Sequence, residues 1–158
     1  MKILIIVTST GTFANGKLAT GLWLSEFTHI YHSAKESGYD ITVANPKGGY
    51  TPIDPESLKP IFLDEMSEKY WEKPEFKKLL DHANSLDNLL EQQFDCVYLA
   101  GGHGAMYDFP DNEALKTIVR KQDAPFGVIF MSINICRRFS PNRQGQSGCE
   151  ECYSKRII

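Results

Sequence analysis

The chain has 158 residues, of which 42% are apolar and 23% are charged, and its net charge at pH 7 is −3. This composition is typical of one soluble globular domain with a buried core, and it excludes intrinsic disorder of the whole chain. It also excludes a membrane span, because the longest apolar run, residues 3–7, has only the length of a strand. The slight acidity gives no reason to expect nucleic acid as a partner. The start of the chain lacks the apolar region of a signal peptide, so we expect a cytoplasmic protein.

The first part of the chain predicts a strand–helix–strand unit. Residues 2–8 are an apolar, β-branched run that indicates a buried strand, and a glycine-rich loop leads from it to a helix predicted over 22–37, with Gly38 as a stop signal. Four residues at a spacing of four mark one face of this helix: Leu22, Glu26, Ile30 and Ala34. Residues 40–45 predict a second strand, which the right-handed crossover rule makes parallel to the first.

The middle of the chain is less regular. Residues 50–60 are a proline-rich loop, and 75–93 carry helical spacing in one or two pieces that break near 84–85. A further apolar run over 96–100 predicts another buried strand, which the glycine-rich segment 101–104 ends sharply.

The last predicted elements are a helix over 112–122 and a strand over 126–131. Asp111 or Asn112 is a suitable N-cap for the helix, and an acidic residue follows in its first turn. The alternation of strands and helices predicts an α/β fold with a doubly wound parallel sheet between two helical layers. Such sheets bind ligands outside the carboxyl ends of their strands. Three segments follow strands in that way: 9–16, 46–49 and 101–104.

The end of the chain differs from the rest. Residues 137–158 (RRFSPNRQGQSGCEECYSKRII) have no period of 2 or 3.6, and they carry five basic against two acidic side chains, a net charge of +3 against −6 for the rest. We therefore predict an α/β domain over 1–136 and a divergent, poorly ordered tail over 137–158.

Glu26 and the segment after the strand at 96–100 are the main candidates for chemistry. Glu26 is either an exposed helical glutamate or a carboxyl in a partly apolar pocket that faces a nucleophile. Gly101 and Gly102 allow a tight turn that presents bare N–H groups, as oxyanion holes and anion nests do, although Gly-Gly turns are also common without function. His103 is either a general acid or base or only a polar turn residue.

Other constellations are weaker. His29 and His32 lie three apart on one predicted helix and can share a metal, but no third ligand has motif spacing, so surface or cap histidines are favoured. Cys149 and Cys152 have zinc-knuckle spacing, but the two further ligands of a structural zinc site do not follow. Residues 8–12 superficially resemble the phosphate loop of a flavodoxin-like FMN module.

Three stretches together resemble the ThiJ/PfpI family, within the class I glutamine amidotransferase-like superfamily, in its branch of heat-shock chaperones and glutathione-independent glyoxalases (glyoxalase III). They are residues 20–29 (TGLWLSEFTH), 43–49 (VANPKGG) and 100–112 (AGGHGAMYDFPDN). The similarity extends from Met1 to about Arg120. It implies a flavodoxin-like α/β/α sandwich, usually a homodimer, in a family associated with stress response.

The resemblance also implies cysteine chemistry that needs no metal or organic cofactor. A thiolate on a strand-to-helix elbow attacks a small 2-oxoaldehyde to give a hemithioacetal, which a carboxyl then isomerises towards a 2-hydroxy acid. Glu26 matches the family's glutamate on the first helix. Gly101, Gly102 and His103 match the segment that contacts the substrate oxyanion.

The chain departs from the family at the nucleophile. The elbow is expected after the strand at 126–131 with the residues Cys-His-Gly, but residues 132–135 are Ser-Ile-Asn-Ile. Cys136 is the nearest thiol, about three positions late, and arginines follow it. Because the family's later strands and helix also have no counterpart, we expect a truncated or frame-shifted member with a sheet incomplete at its C-terminal end.

Three functions compete on this sequence. The first is a glyoxalase III or protein-deglycase enzyme that uses Glu26, His103 and Cys136, or that is inactive because the elbow is missing. The second is a non-catalytic, holdase-like chaperone or binding protein for unfolded clients. The third, amidotransfer or peptidase activity, is disfavoured because acyl transfer needs a base beside the thiol.

Overall fold

Five parallel strands form one sheet, in the order β3-β2-β1-β4-β5. The computed structural model describes residues 1–14, 16–122 and 128–131. The strands are β1 (Lys2–Ile6), β2 (Asp40–Asn45), β3 (Asn84–Ser85), β4 (Cys96–Leu99) and β5 (Val128–Met131). The α-helices are α1 (Leu24–Glu36), α2 (Glu65–Trp71), α3 (Pro74–Asp81), α4 (Ala105–Asp108) and α5 (Glu113–Gln122). Short 3₁₀ turns lie at Pro55–Leu58 and Leu86–Leu89.

Strand β1 is the centre of the sheet and is buried on both faces. Its Ile5 lies opposite Val43 of β2 and Tyr98 of β4. Ile3 and Ile5 pack into a core with α1 and α3, whereas Leu4 and Ile6 pack on the other face with α5 and the turn at Leu86–Leu89. The sheet therefore lies between two helical layers, which confirms the predicted doubly wound α/β fold.

Helix α1 begins two residues later than predicted, and its buried side extends beyond the row of residues at a spacing of four. Trp23 takes the N-cap position, and the buried residues are Leu24, Phe27, Thr28, Tyr31 and Ala34. In the row at a spacing of four, Glu26 and Ile30 are half-buried, whereas Leu22 and Ala34 are buried. The large aromatic rings of α1 determine the buried face because they find aromatic partners on α2 and α3.

The helical spacing of 75–93 is interrupted at 84–85 as predicted, and these two residues form a strand. Ala44 of β2 pairs with Asn84, and the Asn84 side chain donates to the Val43 carbonyl at 3.0 Å. Sequence patterning also missed α2, whose N-cap Asp64 accepts from the Ser67 N–H at 2.9 Å. By contrast, Asn112 caps α5 as predicted, accepting from the Leu115 N–H at 2.7 Å.

The residues from 132 onward, together with 15 and 123–127, lie outside the described part of the chain. The predictions on Cys136, on the tail at 137–158 and on the cysteines within it are therefore not tested. None of the helices in the described ranges combines the length and apolar character that crossing a membrane requires.

An aromatic cluster joins α1 to α2 and α3, and it contains Phe27, Tyr31, Tyr70 and Phe76, with ring centroids 5.2–5.6 Å apart. We predict that Phe76→Ala lowers the free energy of unfolding by about 3–5 kcal/mol, because the 1% exposed ring leaves a cavity. Tyr50→Ala is the control: its 65% exposed ring predicts a change within about 0.5 kcal/mol. Urea unfolding measures both, and equal losses in the two variants would contradict the prediction.

Candidate functional site

At the carboxyl edge of the sheet, the glycine turn (residues 101–104) meets the start of α1. The carbonyl of Gly101 accepts from the Trp23 N–H at 3.0 Å, and the Gly21 carbonyl accepts from the Gly104 N–H at 3.3 Å. The 52–54 segment closes the other side, because the Leu22 N–H donates to the Pro52 carbonyl at 2.8 Å. Three loops that are distant in sequence thus share one set of backbone hydrogen bonds.

Gly102 is required by this close approach. Its φ is +137°, and a Cβ atom at this position would lie 2.3 Å from the Gly21 carbonyl oxygen and 2.6 Å from the Trp23 nitrogen. Both neighbours are backbone atoms and have no side-chain freedom to give way. The glycine therefore has a structural requirement of its own, beside any catalytic one.

Glu26 reaches the glycine turn directly. Its Oε2 accepts a hydrogen bond from the Gly101 N–H at 2.8 Å, across 75 positions of sequence. The structure thus brings together two of the predicted site residues, and Glu26 is half-buried, not fully exposed.

The Glu26 carboxylate also influences Tyr98 on β4. Burial, and second the negative charge of Glu26, raise the pKa of Tyr98 to about 12. The phenol therefore keeps its proton at neutral pH. Sequence reasoning did not single out Tyr98, because it appears in the sequence only as one member of an apolar strand.

The N–H groups of Gly102 and His103 differ from that of Gly101 in having no acceptor in the part of the chain that the structure describes. The Gly101 N–H is already used by Glu26, whereas neither of the next two N–H groups has an acceptor within the described residues. The carbonyls of Gly102 and His103 accept from Ala105 and Met106 at 3.2 and 3.1 Å, which fixes the turn as it enters α4. Two adjacent, oriented donors of this kind can bind an oxyanion.

His103 lies against a buried carboxylate that the sequence analysis missed. Its Nδ1 is 3.5 Å from Oδ2 of Asp54, and the side chains are 49% and 3% exposed. The ring also packs on Phe13, with centroids 5.5 Å apart. The sequence does not reveal this role, because Asp54 lies in the proline-rich loop 50–60 and an Asp-Pro pair indicates only a turn.

Asp108 holds the loop after β1. Its carboxylate accepts from the Ser9 N–H at 2.7 Å, from the Ser9 hydroxyl at 2.9 Å and from the Thr8 hydroxyl at 3.0 Å. Burial raises the pKa of Asp108, and the hydrogen bonds from Ser9 and Thr8 oppose that rise. Because a carboxylate takes the donors that a phosphate would need, the geometry argues against the FMN alternative.

The third predicted strand-end segment, 46–49, forms its hydrogen bonds away from the glycine turn. The Gly49 N–H donates to the Ala83 carbonyl at 2.7 Å, and the Asn45 side chain accepts from the Gly48 N–H at 2.6 Å. This turn therefore faces the β3 side of the sheet. It stabilises the connection and does not join the glycine turn.

The remaining candidates have structural partners. His29 contacts Asp64 through Nε2 at 3.1 Å, and His32 contacts the Tyr70 hydroxyl through Nδ1 at 3.0 Å, so the two histidines do not share a ligand. Within the described ranges no three His, Cys, Asp or Glu side chains are grouped to hold a metal. Cys96 is buried on β4, and burial raises the pKa of its thiol to about 11, which disfavours a reactive thiolate.

Comparison with known proteins gives relatives that share one type of name. The putative glutathione-independent glyoxalase hsp3105 of Schizosaccharomyces pombe is 26% identical over 153 residues, which cover 94% of this chain and 61% of that protein. Glyoxalase 3 of Candida albicans is 26% identical over 121 residues, covering 75% and 51%. The chain thus spans 51–61% of the length of these two curated relatives. No protein-family model matches the chain.

Solved structures give the fold. Rapid Encystment Protein 24 KDa of Francisella tularensis superposes with a TM-score of 0.75 at 34% identity, over 82% of this chain and 57% of that one. DJ-1beta of Drosophila melanogaster superposes with a TM-score of 0.59 at 18% identity, over 86% and 56%. This chain has the DJ-1 fold. The DJ-1 fold and the glyoxalase relatives together support the resemblance to the ThiJ/PfpI family.

We predict that Gly102→Ala lowers the free energy of unfolding by at least about 3 kcal/mol, because its Cβ would overlap the backbone of Gly21 and Trp23. The control is Gly38→Ala, where φ is also positive, at +67°, but no atom lies within 4 Å of the added Cβ. That variant should lose only about 1–2 kcal/mol from backbone strain. Urea unfolding compares the two, and a smaller loss at Gly102 than at Gly38 would refute the steric argument.

Proposed function

We propose that the chain is a ThiJ/PfpI-family protein of the glyoxalase III type, which converts a small 2-oxoaldehyde into a 2-hydroxy acid without glutathione. The hydrogen bond from the Gly101 N–H to Glu26 carries the proposal, since it places a carboxyl beside a turn with two N–H groups that have no acceptor among the described residues. The names of the relatives support the same chemistry. The proposal includes a cytoplasmic location and a homodimer, which stay predictions, as does the hypothesis of a truncated or frame-shifted chain.

In the proposed reaction, the Cys136 thiolate attacks the aldehyde carbon of methylglyoxal and forms a carbon–sulfur bond, and the aldehyde oxygen takes a proton to give a hemithioacetal. Glu26 removes the proton from that carbon to give an enediolate and returns it to the neighbouring, ketone-derived carbon, while the proton of the hemithioacetal hydroxyl passes to the ketone-derived oxygen. The product is a lactoyl thioester. Water then cleaves the carbon–sulfur bond, which releases lactate and regenerates the thiol.

The residues of the glycine turn also have roles in this scheme. The N–H groups of Gly102 and His103 stabilise the negative oxygen that develops during proton removal. His103 acts as the second general acid or base, at the oxygen. The reaction consumes one water and no oxidant, so it needs no redox cofactor.

We predict that Glu26→Gln lowers kcat/KM for methylglyoxal by about 10²–10⁴, because the amide cannot take the proton although it can still accept from Gly101. Glu36→Gln is the matched control on the exposed surface of α1. Lactate is measured without glutathione in both variants. Equal rates in Glu26→Gln and the unaltered chain would exclude Glu26 as the base.

A second candidate is a holdase-like chaperone, which one surface observation favours. Ile61 and Phe62 are 81% and 45% exposed, and the Phe62 ring contacts Trp23 edge-on with centroids 5.3 Å apart. Exposed apolar side chains next to each other are a feature of surfaces that bind other proteins.

The Cys136→Ser variant separates the two functions. The enzyme proposal predicts that lactate formation falls to background in Cys136→Ser, because a hydroxyl does not form the thiolate nucleophile. The holdase alternative predicts that suppression of client aggregation survives the same substitution. No lactate from either protein would refute the enzyme proposal, and loss of suppression in the variant would refute the holdase.

A further inference from the structure

The structural role of Asp54 does not require a charged side chain. Its Oδ1 accepts from the Glu56 N–H at 2.9 Å and so caps the 3₁₀ turn Pro55–Leu58. An uncharged Asn or Ser can fill that position as well as Asp. A carboxylate that is 97% buried is costly unless its second oxygen also has partners.

The second oxygen, Oδ2, has two partners. The Thr20 hydroxyl donates to it at 2.9 Å, and Nδ1 of His103 lies 3.5 Å from it. The backbone around Asp54 is fixed as well, because its N–H donates to the Leu22 carbonyl at 2.9 Å and its carbonyl accepts from the Ser57 hydroxyl at 2.7 Å. The carboxylate is therefore held in place by its backbone and by Thr20, and Oδ2 is the oxygen near the histidine ring.

We propose that Asp54 is a positioning residue that keeps the proton of neutral His103 on Nδ1 and leaves Nε2 as the proton acceptor at the glycine turn. A carboxylate only accepts hydrogen bonds, so the ring nitrogen that faces it carries the proton. Phe13 packs on the ring and restricts its rotation. Nε2 lies on the opposite edge of a ring that is 49% exposed.

This arrangement makes His103 ready to exchange a proton with a bound substrate. The same logic applies wherever a buried carboxylate orients a catalytic imidazole: the carboxylate selects the tautomer and does not itself transfer the proton. The use of Nε2 in the reaction rests on the proposed function. The assignment of the proton to Nδ1 of His103 is independent of that function.

The test is the ring tautomer of His103, read from imidazole ¹⁵N chemical shifts in long-range ¹H–¹⁵N spectra of the full chain, at a pH where the ring is neutral. His103→Gln assigns the signals. The unaltered protein should show a protonated Nδ1 and an unprotonated Nε2. A majority of the Nε2-protonated tautomer in the unaltered protein would overturn the proposal.

Asp54→Asn should reverse the tautomer, because the amide that replaces Oδ2 donates to Nδ1 instead of accepting from it. Asp54→Ser keeps a cap acceptor without the carboxylate and serves if the Asn variant does not fold. Asp64→Asn is the matched control: Asp64 also caps a helix and contacts a histidine, His29, at 3.1 Å. An unchanged His103 spectrum in the folded Asp54 variants would refute the proposal.

Activity gives a separate result. Asp54→Asn should lower kcat/KM for methylglyoxal at least tenfold, and Asp64→Asn should leave it unchanged. A reversed tautomer with an unchanged rate would refute the use of Nε2 in proton transfer. An unaltered chain that makes no lactate would refute the proposed function, while the tautomer measurement would still decide the role of Asp54.

Discussion

The close contact between the Gly101–Gly102 backbone and the start of α1 is the constraint on which the site depends. With no side chain at Gly102, the turn after β4 approaches the Gly21 carbonyl and the Trp23 nitrogen directly. The Trp23 N–H and the Gly101 carbonyl then form a hydrogen bond of 3.0 Å. This fixes the first turn of α1 against the sheet edge, and the Glu26 carboxylate reaches the Gly101 N–H as a consequence.

The core supports that contact from behind. The rings of Phe27 and Tyr31 on α1 pack with Phe76 of α3 and leave α1 no freedom to rotate about its axis. Glu26 is next to Phe27 on α1. The packing that fixes the rotation of this helix therefore also fixes the position of the Glu26 carboxyl. Packing energy and site geometry are therefore properties of the same helix.

Carboxylates dominate the electrostatics of the sheet edge. Glu26, Asp54 and Asp108 each accept a hydrogen bond from a backbone N–H of a loop at this edge. Charge-assisted bonds of this kind are stronger than neutral ones, so the loops are held without metal or disulfide among the described residues. Three negative groups also disfavour an anionic ligand.

The sequence by itself determined the strands β1, β2, β4 and β5 and the glycine turn, because apolar runs and glycine pairs are local signals, whereas the choice of Glu26 came from the family resemblance. The buried face of α1, the strand at Asn84–Ser85 and the approach of Asp54 to His103 were decided by the tertiary structure. Each of these joins residues that are far apart along the chain. A local pattern carries no information about such pairings, since the partner that determines the outcome lies outside the window in which the pattern is read.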